Sequence, residues 1–466
     1  MEQEDVRSRL PQVERLLGLP EVSAYFERIS RPLAARAVSR VLAAERQRLT
    51  EEPDSGIGED ELLAAVIAAL DELDRRRIRK VVNGTGIVLH TNLGRSPLSP
   101  AAWKDAAEAV EGYSNLEFEV EAGKRGRRGG LSSELLRALT GAEDALVVNN
   151  NAAAMVLALA CFASGKDVLV SRGEAVQIGG GFRVPDILAM SGARLKEVGT
   201  TNVTTEEDYL NAIDGETAVA LSVHASNFAI RGFTRKPDLS LLSAALPKNV
   251  ILIADQGSGC CEAGVPAETP VRNYLRDGVR LVCFSCDKIL GGPQAGAIVG
   301  DAALIARLSR HPLMRAFRPG KVTLAVLERC LVARLRGNPG NGDEPPAGSP
   351  VERALRRTST EGIHELKALG RRVIRRLPKA SAILVESRAA IGGGSSPDET
   401  LPSFALVLKG ARGAESLLAA LRLGRVPLIG RVESSSVIVD LLTLADEDDK
   451  LVSNLILEAL EKEGGS

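Results

Sequence analysis

Short apolar runs alternate with helix-length segments between residue 81 and about residue 330, and this pattern limits the possible folds more than any other feature. Runs such as DVLVSR, AVALSVHAS and VILIADQG are rich in Val, Leu and Ile and do not alternate regularly with polar residues. Strands of this kind are typical of a parallel sheet that helices cover on both faces. The sequence therefore predicts a large, doubly wound α/β domain with a mostly parallel sheet over residues 77–336.

Two regions of different character flank this domain. Residues 1–76 have apolar positions at helical spacing, as in LAARAVSRVL, and predict a helical module. The stretch GNPGNGDEPPAGSP at 337–350 is rich in Gly and Pro and predicts an exposed loop or hinge. Helical segments then mix with alternating strands such as LPSFALVLKG, so we expect a small α+β domain over residues 350–466.

Composition excludes several classes of protein. The chain has 466 residues with 59 Lys and Arg against 60 Asp and Glu, so any polyanion site must be local. Six cysteines in mostly apolar surroundings predict reduced thiols in a soluble, cytoplasmic protein, and no apolar signal or membrane-spanning segment is evident. Cys283 and Cys286 have the spacing of half a zinc or redox motif. Because they fall within an apolar strand, we expect core thiols and no metal.

The segment FSCDKILGGPQAG is the strongest local indication of chemistry. A strand ends at Ser285, Lys288 follows three positions later, and two glycines come directly after the lysine. Enzymes that use pyridoxal 5′-phosphate (PLP) on a parallel sheet present their Schiff-base lysine in this way, with a small polar residue near the cofactor phosphate. The glycines would allow the backbone to approach the cofactor closely. The alternative is a surface lysine that happens to follow a strand.

Other strand ends carry residues that suit the same cofactor. Asp255 follows the run VILIA and can pair with the protonated ring nitrogen of PLP, although it could instead cap a helix. In VVNNNAAA, a strand leads through a polar turn into a helix, so Asn150, Asn151 and Ala152 could donate hydrogen bonds to the cofactor phosphate. His224 ends another apolar strand and could contact the cofactor ring or the substrate, or have a purely structural role.

Arginines form two further candidate sites. Arg95, Arg315 and Arg318 lie in the segments HTNLGRSPLS and HPLMRAFRPGK, and the planar guanidinium group suits an oxyanion such as phosphate. Arg315 and Arg318 would share one face if their segment is helical. In the helical module, Arg36 and Arg40 share a face that could follow a nucleic-acid backbone. For all five, a solvated or ion-paired arginine is the alternative.

Long motifs occur in a fixed order from about Arg77 to Leu460: VVNGTGIVLHTNLGRSPLS, YSNLEFEVEAGKRG, LTGAEDALVVNNNAAA, IGGGFRVPDI, SCDKILGGPQAG, RAFRPGKVTLAVLE and IGGGSSPDETLPS. In these motifs the chain resembles the bacterial selenocysteine synthases, the L-seryl-tRNA(Sec) selenium transferase family. The resemblance implies the aspartate aminotransferase-like fold, fold type I of the PLP-dependent transferases. It further implies that Lys288 binds PLP, that Asp255 serves the ring nitrogen, and that Asp287 belongs to the catalytic site.

The resemblance also implies substrates and partners. Arg95, Arg315 and Arg318 would hold the oxyanion of selenophosphate, and the helical module, with Arg36 and Arg40, would dock seryl-tRNA(Sec). Members of the family assemble as rings of dimers, so we expect a homo-oligomer and in particular a decamer.

The implied reaction converts L-seryl-tRNA(Sec) to L-selenocysteinyl-tRNA(Sec) through a PLP aldimine and an aminoacrylyl intermediate. Two alternatives stay open: a PLP-dependent lyase or transferase that acts on a free amino acid without tRNA, and a non-catalytic RNA-binding scaffold. The sequence departs from the family pattern at Leu131, where histidine is common, at Val203, where arginine is common, and at Gln256, where leucine is common.

Overall fold

The computed structural model describes residues 10–52, 58–178, 182–224, 230–336, 349–392, 395–444 and 447–464. The chain divides into two compact units, residues 1–80 and residues 81–466. The first unit is helical, and the second contains the strands. The predicted α/β fold with a helical N-terminal region and an α+β C-terminal part is therefore confirmed. Most of the predicted hinge, residues 337–348, lies outside the described residues.

The first unit is built on two long helices. Its elements are α1 (Val13–Leu17), α2 (Pro20–Ser23), α3 (Phe26–Ile29), α4 (Arg31–Glu51) and α5 (Glu59–Arg75). The apolar stripe of α4 that includes Ala37 and Leu42 packs with Val66 and Leu70 of α5, and all four side chains are fully buried. The helical spacing of the apolar positions therefore matches the face that each helix buries. Most of the predicted break between these helices, residues 53–57, is outside the described part of the chain.

The second unit contains strands and helices in alternation. The strands are β1 (Val82–Asn83), β2 (Phe118–Glu119), β3 (Lys124–Arg125), β4 (Asp144–Val148), β5 (Asp167–Ser171), β6 (Gln177–Ile178), β7 (Phe182–Arg183), β8 (Arg194–Val198), β9 (Thr217–Val223), β10 (Ile251–Gly257), β11 (Leu281–Ser285), β12 (Gly296–Gly300), β13 (Ala382–Gly392), β14 (Ser395–Leu408), β15 (Leu428–Ile429), β16 (Arg431–Glu433) and β17 (Ser436–Asp440). The helices are α6 (Pro100–Glu111), α7 (Ser132–Thr140), α8 (Asn151–Ala163), α9 (Val184–Met190), α10 (Glu206–Ala212), α11 (Leu239–Ala245), α12 (Val271–Arg276), α13 (Ala302–Arg310), α14 (Leu313–Ala316), α15 (Lys321–Arg336), α16 (Pro350–Arg356), α17 (Thr360–Ile374), α18 (Ala414–Arg422) and α19 (Asp449–Gly464). Within the described ranges of the whole chain, no helix combines the length and the apolar character that crossing a bilayer requires.

Seven strands form the central sheet, in the order β4-β12-β11-β10-β9-β5-β8. Strand β12 runs antiparallel to both of its neighbours, and the other neighbouring pairs are parallel. In β5, Leu169 packs into the apolar cluster on one face, whereas Val168 and Val170 pack into the cluster on the other. Because both faces of the inner strands are buried, these strands are largely apolar, which explains the runs seen in the sequence. The edge strand β8, with the sequence RLKEV, is the exception.

A smaller antiparallel sheet, in the order β13-β14-β17-β16, forms the C-terminal part with α17, α18 and α19 packed against it and each other. The start of the unit is fixed to this part. Strand β1 pairs with β15, with Val82 opposite Leu428, and Arg431 Nη1 donates to the Thr85 carbonyl over 2.8 Å across 346 positions of sequence.

The carboxyl ends of β9, β10 and β11 meet at one edge of the central sheet. These strands are adjacent and parallel, and Asp255 of β10 is paired with Val223 of β9 and Cys283 of β11. Residues that follow the three strands therefore converge, which is how open α/β sheets usually form ligand sites.

Candidate active site

Lys288 lies just beyond the end of β11, in a tight turn. The Gly292 amide donates to the Cys286 carbonyl over 2.8 Å, and Gly291 has a φ of +83°. A Cβ atom on Gly292 would lie 3.2 Å from the same Cys286 oxygen. The geometry of the turn therefore explains why both positions are glycine. The backbone approaches itself closely here, so glycine is needed whether or not a cofactor also lies nearby.

The Lys288 amine sits in a strongly charged environment. Burial lowers its pKa below that of an ordinary lysine, and the neighbouring Arg95 guanidinium lowers it further. Asp255, Asp287 and Glu268 act in the opposite direction, because a nearby carboxylate favours the charged amine. A lysine with a lowered pKa gives up its proton more readily, as an amine that acts as nucleophile or base must.

Asp255 is buried inside the sheet edge, with 4% of its surface exposed. Asn151 Nδ2 donates to its Oδ1 over 2.8 Å, and the Asp255 carbonyl accepts from the His224 amide over 2.9 Å. Burial raises the pKa of Asp255, whereas the hydrogen bond from Asn151 and the charge of Lys288 lower it. Asp255 lies within β10, so the alternative role as a helix cap does not apply.

The helix that follows β4 begins beside this aspartate. Asn150 is the N-cap of α8, and its side chain accepts from the Ala153 amide over 2.8 Å. Asn151 and Ala152 are the first two residues of the helix. Asn151 Nδ2 is thus engaged with Asp255, and Asn150 uses its Oδ1 for capping. The donors left for a phosphate here are backbone amides and Nδ2 of Asn150. Ser285, expected near the same phosphate, is the buried last residue of β11.

His224 follows β9 with 16% of its side chain exposed. Its Nδ1 is buried without a hydrogen-bond partner in the described part of the chain, and its Nε2 lies 4.0 Å from Oε2 of Glu268. Burial lowers the pKa of His224 to about 4, and the charges of Lys236 and Lys288 act in the same direction. The ring is therefore neutral near pH 7.

Glu268 is a site residue that the sequence interpretation missed. Its side chain is fully buried, Oε2 accepts from Ser258 Oγ over 2.6 Å, and Oε1 has no partner among the described residues. Burial raises its pKa to about 7, while the Ser258 hydrogen bond lowers it. Gln256, one of the departures from the family pattern, donates to Ser258 Oγ over 2.6 Å and accepts from the Gly259 amide over 2.8 Å. Glu268 follows no strand and belongs to no motif, so its sequence context gave no signal.

Arg95 reaches the site from a loop near the start of the second unit. Its Nη1 lies 2.8 Å from Oδ2 of Asp287, and the Ser96 amide donates to the Asp287 carbonyl over 3.2 Å. Arg95 has a φ of +60°, an uncommon conformation for a residue with a side chain, and its amide donates to the His90 carbonyl over 3.0 Å. Two members of the expected site, Arg95 and Asp287, thus form an ion pair next to Lys288.

The other two arginines expected with Arg95 have different surroundings. Helix α14 ends at Ala316, so Arg315 lies within it and Arg318 beyond it, and the condition for one shared helical face is not met. The reason is Pro319, since the residue before a proline is disfavoured in helical conformation. Arg315 is exposed, whereas Arg318 Nη1 lies 3.2 Å from Oε1 of Glu117. No contact of the described residues joins either of them to Arg95.

Arg36 and Arg40 are exposed on α4, opposite the buried face. Neither has an ion pair within the described residues of the first unit, whereas three neighbouring arginines do, namely Arg28, Arg31 and Arg48. The two predicted tRNA contacts are therefore accessible cations on one helix face.

The residues around Lys288 fit PLP chemically. An amine of lowered pKa suits its aldehyde, the buried carboxylate of Asp255 suits its ring nitrogen, and the amides at the start of α8 suit its phosphate. Buried Asn151 Oδ1 and His224 Nδ1 have no partner in the described part of the site, so polar groups remain available to a ligand. The described residues contain no cluster of three or more His, Cys, Asp or Glu that could hold a metal ion.

Comparison with known proteins gives the family. A family model described as SelA: L-seryl-tRNA selenium transferase matches residues 81–445, and a second, described as Selenocysteine synthase N terminal, matches residues 7–46. The L-seryl-tRNA(Sec) selenium transferase of Geotalea daltonii is 41% identical over 452 residues, which are 94% of this chain and 96% of that protein. The protein of the same name from Caldanaerobacter subterraneus subsp. tengcongensis is 38% identical over 468 residues, 98% of both chains.

A solved structure supports the fold. D-glucosaminate-6-phosphate ammonia-lyase superimposes with a TM-score of 0.59 at 20% identity, covering 83% of this chain and 97% of that chain. The expectation of fold type I is confirmed. The first family model alone spans well over half of the sequence, and the two relatives align over nearly its full length. The chain therefore belongs to the SelA family of L-seryl-tRNA selenium transferases.

Proposed function

We propose that this protein converts L-seryl-tRNA(Sec) to L-selenocysteinyl-tRNA(Sec), with PLP as cofactor and selenophosphate as selenium donor. The observation that carries the proposal is the grouping of Lys288, Asp255 and the Arg95–Asp287 ion pair at one edge of the sheet. The group supplies an amine, a carboxylate for a ring nitrogen and a cation for an anionic substrate.

Lys288 would hold PLP through its aldehyde, Asp255 through the ring nitrogen, and the first amides of α8 through the phosphate. When bound, PLP withdraws electrons from the Cα atom of an amino-acid substrate. Burial of Lys288 then serves the reaction, because a neutral amine can take the proton from Cα and return it later. His224 is neutral and its side chain is largely buried, so it can contact the cofactor ring without adding a charge.

Arg95 is the proposed contact to the selenophosphate oxyanion, together with Arg315 and Arg318. The bond to Asp287 uses Nη1 of Arg95, which leaves the remaining donors of the guanidinium fork for an anion. Asp287 would therefore fix the direction in which Arg95 presents these donors. Selenophosphate is negatively charged while its selenium adds to the β-carbon of the substrate. A cation fixed beside that carbon would hold the anion in place.

The helical first unit is the proposed docking site for tRNA. Arg36 and Arg40 present two unpaired cations on one face of α4, within the described residues of this unit. Cations in this arrangement contact successive phosphates of a nucleic-acid backbone. A tRNA substrate also implies a reaction in the cytoplasm.

Assembly into a homo-oligomer, and specifically into a decameric ring of dimers, is part of the proposal. Large apolar side chains are exposed on and after α6, with exposed fractions of 50% for Trp103, 109% for Tyr113, 51% for Phe118 and 69% for Val120. Apolar groups concentrated in one segment in this way mark a surface that another chain covers. A second copy of the chain is the occupant we propose.

A PLP-dependent lyase or transferase for a free amino acid is the second candidate. One observation favours it: Arg95 lies beside Lys288 and could bind the α-carboxylate of a free amino acid. In seryl-tRNA this carboxylate is esterified and carries no charge. Arg95 would therefore bind the substrate carboxylate in the lyase and selenophosphate in the selenium transferase.

The test is an absorption spectrum of the purified protein, followed by turnover assays. We expect a band near the visible edge that borohydride abolishes, that is absent in Lys288→Ala, and that persists in Lys248→Ala, a control at an exposed lysine. Selenophosphate-dependent product from seryl-tRNA(Sec) would then establish the substrate. Turnover of free amino acids alone would establish the lyase, and absence of the band would overturn the assignment of Lys288.

A further inference from the structure

A cavity of about 190 Å³ lies beside the N-terminus of α7. The residues that line it include Arg127, Arg128, Ser132, Val147, Met314 and Arg318. Arg318 is also a proposed selenophosphate contact, whereas Lys288, Asp255, Arg95 and Asp287 do not line the cavity. We call it the Arg128 cavity.

The rim of the Arg128 cavity carries more positive than negative charge. Glu117 accepts from Arg128 over 2.6 Å, from Arg125 over 2.7 Å and from Arg318 over 3.2 Å. The three guanidinium groups hold the pKa of Glu117 below its usual range, chiefly through the hydrogen bond from Arg128. Arg125 does not line the cavity, and Arg127, which does, lies 3.6 Å from Oδ2 of Asp144. Glu134 also lines the cavity, but it is exposed at the rim, where water screens its charge.

Hydrogen-bond donors in the cavity lack acceptors. Ser132 is 2% exposed, and its Oγ has no partner among the described residues, nor has Nε of Arg128. Ser132 is also the first residue of α7, a nine-residue helix whose N-cap is Leu131 and lacks a side-chain hydrogen bond. Serine, threonine, aspartate or asparagine usually fills this position. The Leu131 amide at the helix start already donates to Glu328 Oε2 over 2.8 Å. The buried hydroxyl and the guanidinium N–H are therefore the donors left for an oxyanion.

The inner wall of the Arg128 cavity is apolar. Leu146, Val147 and Leu324 line it and are largely buried, and Met314 of α14 lines it as well. A cationic rim above an apolar wall suits a ligand with a phosphate and a flat apolar group, which is the chemistry of a nucleotide. Selenophosphate has no group that would use the wall.

Hydrogen bonds connect this cavity with the residues around Lys288. The Asn149 amide donates to the carbonyl of Phe317, the residue before Arg318, over 3.0 Å. Two positions after Asn149, Asn151 donates to Asp255. The cavity wall and the start of α8 are therefore held together by the backbone.

We propose that the Arg128 cavity binds the 3′-terminal nucleotide of the aminoacylated tRNA, and this inference rests on the proposed function. The phosphate contacts Arg128 and Ser132 Oγ, and the base lies on the apolar wall. Serine is esterified to the ribose of this nucleotide, so a site that holds it sets the position of the seryl group.

Binding of adenosine 5′-monophosphate (AMP) tests the inference without turnover, because AMP carries the base and phosphate of that nucleotide. Calorimetry on the full-length protein is expected to show that AMP binds more tightly than adenosine and more tightly than inorganic phosphate. Ser132→Ala is expected to weaken AMP binding on the order of tenfold, the value of one hydrogen bond to a charged group. Its melting temperature should be unchanged or higher, because the variant removes a buried hydroxyl without a partner.

Arg128→Gln is expected to weaken AMP binding more than Ser132→Ala, since it removes both charge and fork. Arg137→Gln, at an exposed arginine of the same helix, is the matched control and should bind AMP like the wild type. In steady-state assays, Ser132→Ala should raise KM for seryl-tRNA and leave KM for selenophosphate unchanged.

Three results would overturn the inference. AMP that binds no more tightly than inorganic phosphate would indicate an adventitious ion only. Equal AMP affinity in wild type and Ser132→Ala would place the nucleotide elsewhere, and an increase confined to KM for selenophosphate would assign the cavity to the donor. Failure of the proposed function would give a different result from failure of this inference. A protein that binds AMP through Ser132 but does not turn over seryl-tRNA(Sec) would have the nucleotide site and a different substrate.

Discussion

Arg95 Nη1 lies 2.8 Å from Oδ2 of Asp287, the residue directly before Lys288. The ion pair joins a loop near the start of the second unit to the turn after β11, two segments separated by 192 positions. Both partners act on the Lys288 amine, since the charge of Arg95 lowers its pKa and the charge of Asp287 raises it. Changes at either residue are therefore expected to alter the anion site and the lysine together.

Asp287→Asn is expected to release Arg95 from its fixed direction and to raise KM for selenophosphate on the order of tenfold, the value of one charge-assisted hydrogen bond. KM for seryl-tRNA should change less, because Arg95 is proposed to bind selenophosphate and not the seryl group. Initial-rate measurements with each substrate varied would test this. Asp277→Asn, at the end of α12, is the control, and an unchanged KM for selenophosphate in Asp287→Asn would separate Arg95 from donor binding.

Asn151→Ala removes the side-chain donor to Asp255 and leaves that buried carboxylate without its hydrogen bond. We expect the pKa of Asp255 to rise further and the affinity for PLP to fall on the order of tenfold, because a protonated aspartate pairs poorly with a protonated ring nitrogen. Titration of the cofactor-free protein with PLP, followed by absorbance, provides the measurement. Asn211→Ala, at an exposed position of α10, should bind PLP normally. Equal affinities for both variants would contradict the role of Asn151.

Glu268 makes stability depend on pH in a predictable direction. Its pKa of about 7 in the folded protein exceeds the ordinary value of 4.5, so the folded state holds the proton more tightly. Its contribution to stability is fully present below about pH 4.5 and is lost as the pH rises through about 7, a loss of about 3 kcal/mol. His224 acts oppositely, because its lowered pKa destabilises the folded state as the pH falls from 6.5 toward 4.

Glu268→Gln is therefore expected to remove the share of the alkaline loss that Glu268 contributes. The loss from Glu174, whose pKa burial also raises to about 7, and the acid loss from His224 stay. Urea unfolding of cofactor-free protein at pH 5 and pH 8 would show a smaller decrease in unfolding free energy for Glu268→Gln than for the wild type, by about 2 kcal/mol. Glu415→Gln, at an exposed site, should behave like the wild type. A variant whose pH dependence matched the wild type would show that Glu268 is already ionised at neutral pH.

Charge reversal of Arg36 and Arg40 tests the first unit as the tRNA site. The double variant Arg36→Glu and Arg40→Glu should bind tRNA at least tenfold more weakly and with a shallower dependence on salt, because fewer counterions are released. The matched control is Arg371→Glu with Arg375→Glu, an exposed pair at the same spacing, with Arg371 in α17 and Arg375 at its C-cap. Filter binding at several salt concentrations would measure both. Equal losses in the two variants would indicate a nonspecific effect of charge.

The sequence allowed prediction of those site residues that follow strands. Parallel strands end at the same edge of a sheet, so the chain order of His224, Asp255 and Lys288 was enough to predict that they would lie together. Glu268 could not be found in this way, because it comes from an irregular segment and only the folded structure buries it. Arg315 and Arg318 share no helical face for a local reason, the proline at 319. Asn151 was expected to face a phosphate, and its bond to Asp255 depends on a contact across 104 positions.

The pairing of Val82 with Leu428 and the bond from Arg431 to the Thr85 carbonyl bear on synthesis at the ribosome. The segment that leads to Arg95 is made before the residues that hold it, since Arg431 is translated 346 positions after Thr85. Lys288, Asp255 and their strands can be in place long before that point, while Arg95 cannot. A nascent chain would thus acquire its cofactor residues first and its donor-binding arginine only after Leu428 and Arg431 have been made.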